Sequence, residues 1–333
     1  MVEAVDAVVI GAGPCGLAAS ISMQRAGVSN VIIERDCLVS GITQYPTEMS
    51  FFSTAEKISI GGVPLSIATA KPSRRDALAY YRTVAHHFGV RVHQFETVDL
   101  LERVADERWR VTSHTRHGTE RVIETGAVVM ATGYFGLPNR LGVPGEQLPH
   151  VHYRFMEGHM AYDQDVVVVG GANSAVDAAL ELHRAGARVT LVHFRPSLDA
   201  NVKPWVRPDV EGRIRDGAIT AKFNSRVVSI NAEHVEIECD GHRELLSAQH
   251  VFTMLGYMPE TRLLKQVQAP IDPTSGVPTH SPATMETPLA GLFIAGVLAS
   301  GFDANKTFIE NGRYHGDLIV ARILERQRQL LGV

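Results

Sequence analysis

The chain of 333 residues has few cysteines, no long apolar run and no excess of positive charge. Its three cysteines, Cys15, Cys37 and Cys239, are odd in number and far apart, which excludes a disulfide framework and favours a reducing, cytoplasmic location. No apolar run is long enough to cross a bilayer, so no membrane partner is expected. The net charge of −4 provides no basic surface for nucleic acid.

Metal-binding and secretion patterns are also missing. The 15 histidines form neither an HExxH motif nor a Cys/His cluster, so no metal site is predicted. Residues 1–6 lack the basic region and apolar segment of a secretion signal. Apolar residues, in contrast, make up 45% of the chain, which is enough for a large core and favours two domains.

A glycine-rich turn follows the first apolar run, at residues 11–16, and leads into an alanine-rich predicted helix. In such a strand–turn–helix, Gly11 permits the tight turn, Gly13 lets the backbone approach a pyrophosphate, and Gly16 allows the helix to pack on the strand. The next apolar run ends in Glu34, a carboxylate placed to bind ribose hydroxyls. This unit is predicted to bind a dinucleotide.

The same pattern recurs at residues 167–175. Glu34 lies 23 residues after Gly11, and His193 lies 23 residues after Gly170. Two units in one register predict an internal repeat of dinucleotide-binding folds. The acid of the first unit is replaced by His193, and nearby Arg195 can bind a 2′-phosphate through charge-assisted hydrogen bonds. We therefore expect FAD at the first unit and NADPH at the second, with a surface arginine as the alternative role of Arg195.

The order of these motifs predicts an α/β fold with two Rossmann-like dinucleotide-binding domains, the NADPH domain inserted into the FAD domain. A buried strand ending in Ala-Thr-Gly at 131–133 and a Pro/Gly-rich joint at 138–149 precede the second unit. A closing strand and helix occupy residues 291–312. The predicted segments are 1–150 for the first part of the FAD domain, 151–253 for the NADPH domain and 254–333 for the closing part.

Each domain has its own set of predicted cofactor contacts. For FAD, they are Gly11, Gly13, Pro14, Cys15, Gly16, Glu34, Arg35, Thr132, Gly133, Gly296, Lys306 and Thr307. For NADPH, they are Gly170, Gly171, Asn173, Ser174, His193, Arg195 and Gly256.

The order of motifs resembles that of the low-molecular-weight thioredoxin reductases, with two departures. The CxxC of that family is absent after the second turn, and Gly296-Val297 replaces its closing Gly-Asp. A closer resemblance is to the bacillithiol disulfide reductases, which lack the CxxC. It is carried by Gly11-Ala12-Gly13-Pro14-Cys15-Gly16, Phe51-Phe52-Ser53-Thr54-Ala55-Glu56-Lys57, Ala131-Thr132-Gly133-Tyr134, Lys203-Pro204-Trp205 and Phe308-Ile309-Glu310-Asn311-Gly312-Arg313.

This resemblance implies an NADPH-dependent flavin oxidoreductase that reduces a small thiol disulfide, with Cys15 as the candidate active cysteine and a homo-oligomer, dimer or tetramer, as the assembly. A helix N-terminus favours the Cys15 thiolate, whereas a neighbouring pyrophosphate disfavours it, and a small packing residue is the alternative role. Two other functions are compatible with the motifs. One is a ferredoxin or flavodoxin NADP reductase, and the other is a non-enzymatic redox sensor.

Overall fold

The structure, a computed structural model, describes residues 3–104 and 108–331. Its contacts divide the chain into two compact units. Unit 1 contains the described residues up to Thr43, the segment Met49–Leu137 and the residues from Met258, while unit 2 contains Gln44–Glu48 and Pro138–Tyr257. The domain limits predicted from the sequence, after residues 150 and 253, stay predictions. The ends of the outer predicted segments, residues 1–2 and 332–333, lie outside the described residues, as do residues 105–107.

Strands alternate with helices after each glycine-rich turn, and runs of consecutive strands follow. The strands are β1 Glu3–Ile10, β2 Asn30–Glu34, β3 Val92–Gln94, β4 Glu96–Val104, β5 Arg108–Thr115, β6 Glu120–Met130, β7 Leu137–Pro138, β8 Val151–His152, β9 Asp165–Val169, β10 Arg188–Val192, β11 Ile219–Lys222, β12 Ser225–Ile230, β13 His234–Cys239, β14 His242–Ser247, β15 His250–Thr253, β16 Tyr257–Met258 and β17 Leu292–Ile294. The helices are α1 Pro14–Arg25, α2 Ser40–Thr43, α3 Ala55–Ile58, α4 Arg74–His87, α5 Asn173–Arg184, α6 Arg207–Arg215, α7 Arg262–Gln266, α8 Ile309–Gly312 and α9 His315–Leu331. Short 3-10 turns cover His159–Ala161 and Gly296–Ser300.

Unit 1 is built on a mixed sheet with the strand order β3-β2-β1-β6-β5-β4, and β17 also pairs with β6. The pairs around β1 and β17 are parallel, whereas β4, β5 and the near half of β6 form antiparallel ladders. Val8, Val9 and Ile32 are fully buried, as is typical of central parallel strands, and Val8 belongs to a core cluster that includes Leu101 of β4 and Leu264 of α7. The carboxyl ends of β1, β2 and β6 therefore meet at one edge of the sheet.

Unit 2 contains a parallel sheet with the order β11-β10-β9-β15-β8 and a separate antiparallel sheet, β12-β13-β14. The valine run of β9 is buried, as the continuous apolar pattern of a central parallel strand requires. The turn between β13 and β14 is Asp240-Gly241, and both residues have positive φ, of 49° and 80°. Two such residues match the twist of a hairpin.

The α/β class and the two Rossmann-like units are confirmed. The alternation of apolar and polar residues around Asp240-Gly241 predicts a strand pair, and β13 and β14 form that pair. Strand β12, which pairs with β13, and strand β4, whose burial pattern is irregular, were not predicted from the sequence. In the part of the chain that the structure describes, no helix is long and apolar enough to cross a membrane.

Candidate active site

The first glycine-rich turn joins β1 to α1 and is held by close backbone contacts. Gly11 has φ of 108°, and a Cβ on it would lie 2.4 Å from the carbonyl oxygen of Ala131. A Cβ on Gly16 would lie 2.0 Å from the carbonyl oxygen of Gly11. Only glycine fits at either position, so the turn lies directly against the carboxyl end of β6.

The outer side of this turn is open. A Cβ on Gly13 would have no neighbouring atom within 4 Å, and α1 begins with Pro14 and has no side-chain cap. The uncapped N–H groups at the start of α1 can therefore bind an anion, and their partial positive charge favours a pyrophosphate. Gly133, with φ of 73°, is likewise open on its Cβ side. These residues fit FAD.

Glu34 is buried at the carboxyl end of β2 and is fixed by three hydrogen bonds. Its Oε2 accepts from the Ala12 N–H at 2.7 Å, and its Oε1 accepts from the Asp36 N–H at 2.9 Å and the Ser40 hydroxyl at 3.1 Å. Each carboxylate oxygen can accept further bonds, so the group can still bind ribose hydroxyls. The bond to Ala12 links this carboxylate to the turn that binds the pyrophosphate.

Cys15 lies in the first turn of α1, and its Sγ contacts two glycines from the closing part of unit 1. A Cβ on Gly296 would lie 3.1 Å from that sulfur, and one on Gly312 would lie 2.9 Å from it. Burial raises the pKa of the Cys15 thiol to about 12. The cause is desolvation, and its direction is opposite to the one expected from a helix N-terminus.

His315 supports the same closing segment. The N–H of Gly296 donates to His315 Nδ1 at 3.2 Å. Burial, with a smaller contribution from His280, lowers the pKa of His315 to about 4. The imidazole is therefore neutral near pH 7 and can accept this bond. Sequence reasoning missed His315 because no local pattern links it to Gly296, 19 residues earlier.

Two of the other predicted FAD contacts are threonines. Thr307 is buried, is hydrogen-bonded to the Ser300 hydroxyl, and has its methyl group 3.3 Å from the Cβ position of Gly312, so it lies near Cys15. The hydroxyl of Thr132 donates to the Glu260 carbonyl at 3.4 Å.

Two charged residues predicted to bind FAD are exposed, and each lies beside a carboxylate. Arg35 lies 3.3 Å from Asp36, and Lys306 lies 3.7 Å from Asp303. Contacts of Arg35 and Lys306 with FAD stay predictions.

The second turn joins β9 to α5 in unit 2. A Cβ on Gly170, which has φ of 140°, would lie 2.5 Å from the carbonyl oxygen of Met254. Helix α5 has no side-chain cap, so its N–H groups face outward as those of α1 do. The Asn173 side chain donates to the Asn201 carbonyl at 3.1 Å and accepts from the Lys203 N–H at 2.9 Å. Asn173 thus fixes the following loop next to the turn.

Three further predicted NADPH contacts border this loop or the end of β15. Ser174 is exposed at the start of α5. Gly256 has φ of 80°, and its carbonyl accepts from the Asn139 N–H at 3.0 Å. A Cβ on Gly171 would lie 2.5 Å from the imidazole of His193, so this glycine makes room for that ring.

His193 occupies the position that corresponds to Glu34. It is buried, and neither ring nitrogen has a hydrogen-bond partner among the described residues. Its Nε2 lies 3.6 Å from Asp199 Oδ1, which also binds Arg195 at 2.9 Å. Burial lowers the pKa of His193, so the ring is neutral. The residues fit NADPH, because an unpaired imidazole and a guanidinium replace the carboxylate that would repel a 2′-phosphate.

The sequence prediction missed Asp199, although its spacing of four residues from Arg195 is a recognisable ion-pair signal.

Comparison with known proteins identifies the family. The model described as pyridine nucleotide-disulphide oxidoreductase matches residues 8–296. The chain belongs to this family. Bacilliredoxin reductase Bdr of Bacillus subtilis (strain 168) is 41% identical over 96% of this chain and 98% of its own length. The structure of bacillithiol disulfide reductase Bdr (YpdA) from Bacillus cereus matches with a TM-score of 0.95 and 41% identity, over 97% of this chain and all of the other. A ferredoxin–NADP reductase of Ignicoccus hospitalis is 29% identical over 76% of this chain and 77% of its own length.

As a pyridine nucleotide-disulphide oxidoreductase, the protein is an enzyme whose cofactors are FAD and NADPH. The predicted fold, with one Rossmann-like domain for each dinucleotide, is that of the family. Among the described residues, no group of three or more His, Cys, Asp or Glu side chains could hold a metal ion. The contacts assigned to individual site residues stay predictions.

Proposed function

We propose that this oxidoreductase uses NADPH to reduce bacillithiol disulfide, the substrate class named for its Bacillus cereus relative. The observation that carries the proposal is similarity at 41% identity along almost the entire length of both chains. The overall reaction converts one disulfide, NADPH and a proton into two thiols and NADP⁺. The bound flavin supplies a two-electron relay between the nicotinamide and the disulfide.

Two of the sequence strings that carry the resemblance, Phe51–Lys57 and Phe308–Arg313, contact each other in unit 1. The hydroxyl of Ser53 hydrogen-bonds the carboxylate of Glu310, and Lys57 lies 3.5 Å from the same carboxylate. Arg313 donates to the carbonyls of Glu56 and Ser59 at 2.7 and 2.5 Å. These contacts hold α3 against the segment that includes Gly312, and therefore support the surroundings of Cys15.

Cys15 is the proposed nucleophile. Its sulfur would bond to one sulfur of the substrate while the other leaves as a thiol, and two electrons from NADPH would then cleave the mixed disulfide. Because the pKa of the Cys15 thiol is raised to about 12, the thiol carries its proton near pH 7, and attack on the substrate requires that this proton leave. The proton can pass to the leaving thiolate, which balances the first step.

A ferredoxin or flavodoxin NADP reductase is the second candidate, favoured by the similarity to the Ignicoccus hospitalis enzyme and by the missing CxxC. Stopped-flow absorbance separates the two. After reduction with NADPH, we expect the flavin to reoxidise quickly with bacillithiol disulfide and slowly with ferredoxin. The opposite order would establish an electron-transfer reductase. A redox sensor would instead show slow reduction by NADPH.

The Cys15→Ala variant tests the nucleophile. We expect bound FAD and normal reduction by NADPH, but a loss of disulfide turnover of about a thousandfold or more, as for removal of a covalent nucleophile. The matched control is Cys37→Ala, since Cys37 is also a free cysteine of unit 1. Retained turnover in Cys15→Ala would make Cys15 a packing residue.

We also propose a cytoplasmic location and a homo-oligomer, dimer or tetramer. The three free cysteines and the family's thiol chemistry support the reducing compartment. Light scattering after size-exclusion chromatography would measure the assembly, and a mass near 36.3 kDa would refute it.

A further inference from the structure

An exposed phenyl ring in unit 2 is flanked by two guanidinium groups. Phe194 follows β10, and 49% of its surface is exposed. The Arg195 guanidinium carbon lies 5.3 Å from the centre of this ring, and that of Arg226 lies 5.0 Å from it. Both are cation–π distances, so the ring holds two positive groups at one surface.

The backbone places Arg226 there. The N–H of Ser225 donates to the His193 carbonyl at 3.0 Å, and the N–H of Asn224 donates to the Arg195 carbonyl at 3.0 Å. These two bonds join the turn between β11 and β12 to the residues on either side of Phe194. Arg226 is the next residue along β12, so the position of its side chain is a consequence of the fold.

The two arginines differ in their charge partners. Arg195 binds Asp199 at 2.9 Å, which neutralises it. Arg226 makes no ion pair with any residue that the structure describes. Its partner across the β12–β13 ladder is Glu238, and that carboxylate lies 3.5 Å from Arg243. Arg226 therefore carries the uncompensated positive charge at this surface.

We propose that Arg226 binds the 2′-phosphate of NADPH and is a specificity-determining residue against NADH. This surface lies at the carboxyl end of β10, just as Glu34 lies at the carboxyl end of β2. The adenosine ribose lies at that end of the second strand in a Rossmann unit. A guanidinium without a carboxylate partner gives more net binding to a phosphate than one that must first release its own partner. The inference rests on NADPH as the reductant in the proposed function, but not on the identity of the disulfide.

Calorimetry of the FAD-loaded enzyme with 2′,5′-ADP and with 5′-ADP tests the assignment, because the two ligands differ only in the 2′-phosphate. In Arg226→Gln, we expect 2′,5′-ADP to bind about 10- to 100-fold more weakly, as for the loss of a charge-assisted hydrogen bond. Binding of 5′-ADP should change by less than about twofold, since its contacts involve no 2′-phosphate. Arg226→Lys should recover part of the affinity, because it keeps the charge but not the planar fork.

Arg215→Gln is the matched control. It removes the same charge from an exposed position of unit 2. Arg215 lies at the end of α6, before β11, whereas Arg226 lies after β11. We expect no change for either ligand. Equal weakening of both ligands by Arg226→Gln, or no weakening of either, would overturn the proposal. An enzyme that keeps its preference for 2′,5′-ADP but fails to reduce bacillithiol disulfide would refute the proposed function and leave this assignment in place.

Discussion

The two glycine-rich turns perform the same structural task with different residues. In the first turn, Gly13 and Gly16 occupy positions where the second turn has Ala172 and Ala175. Both turns begin with a glycine at positive φ whose Cβ would collide with a carbonyl oxygen of a neighbouring strand segment. The first glycine is therefore a requirement of the fold, whereas the second and third depend on how closely helix and ligand approach.

The ends of the following strands differ in charge. Glu34 is a buried carboxylate with three protein donors, whereas His193 is a buried neutral ring whose nitrogens have no hydrogen-bond partner among the described residues. Arg195 and Arg226 lie beside it, and within the part of the chain that the structure describes only Arg195 has a carboxylate partner. In the assignment proposed above, one scaffold accepts a ribose with free hydroxyls at one copy and a 2′-phosphate at the other.

The largest effect is expected from exchanging residues between the turns. Gly16→Ala should destabilise unit 1 by about 3 kcal/mol, because the Cβ would overlap a backbone carbonyl that cannot move without opening the turn. Ala175→Gly, at the corresponding position of unit 2, should cost only about 1 kcal/mol through chain entropy. Urea unfolding monitored by flavin fluorescence and circular dichroism would measure both.

Gly13→Ala is the control for this exchange. Gly13 has φ of −71°, which alanine adopts readily, and open space on its Cβ side. We expect unchanged stability of the FAD-free protein and a weakening of FAD binding of about tenfold, the equivalent of one lost hydrogen bond to a charged group. If Gly16→Ala and Ala175→Gly had equal effects, the two turns would be packed alike and the comparison would fail.

The next effect concerns a histidine of unit 1 and depends on pH. His315, with a pKa lowered to about 4, stays neutral in the folded protein while an unfolded histidine takes up a proton below about pH 6.5. Acid therefore favours unfolding across this window, and His315 should account for about 2 kcal/mol of the stability lost between pH 7 and 5. His315→Gln keeps an acceptor for Gly296 but cannot titrate, so its stability should fall less.

The difference between wild type and His315→Gln, measured by urea unfolding at pH 7 and 5, isolates this contribution. His86→Gln, at the exposed end of α4, is the control and should leave the pH dependence unchanged. Parallel pH profiles for wild type and His315→Gln would show that the imidazole titrates as freely in the folded chain as in the unfolded one.

The smallest effect is expected at Asp199, the carboxylate that neutralises Arg195. Asp199→Asn should strengthen 2′,5′-ADP binding by about threefold, because an exposed ion pair contributes less than about 1 kcal/mol and is screened by salt. Calorimetry at low and high ionic strength would measure the change, and 5′-ADP serves as the control ligand. Weaker binding of 2′,5′-ADP would instead make Asp199 a necessary anchor for Arg195.

The sequence was sufficient to predict both turns, the register of Glu34 and His193, and the order of the domains. These features depend on neighbouring residues, in which glycine, apolar runs and a terminal acid carry direct conformational information. The resemblance of the quoted strings then predicted the family that the comparisons establish.

Long-range contacts could not be predicted in this way. The His315 ring accepts from the Gly296 N–H, and backbone bonds between β-strand ends place Arg226 beside Phe194, contacts that depend on the assembled structure. Desolvation raises the pKa of Cys15, whose sulfur lies against two glycines almost 300 residues away in the chain, and its position at a helix N-terminus could not indicate this. Local pattern specifies the backbone of each site, whereas charge and hydration depend on the assembled structure.

The place of β17 in the sheet of unit 1 has a consequence for biosynthesis. This strand pairs with β6, so the ribosome must make residues 292–294 before the sheet can be completed. The main segment of unit 2, Pro138–Tyr257, is continuous and emerges earlier. Because domains fold as units during translation, we expect the NADPH unit to be folded while the flavin unit still lacks a strand and the glycines around Cys15. Loading of the flavin is then one of the last events in the maturation of the enzyme.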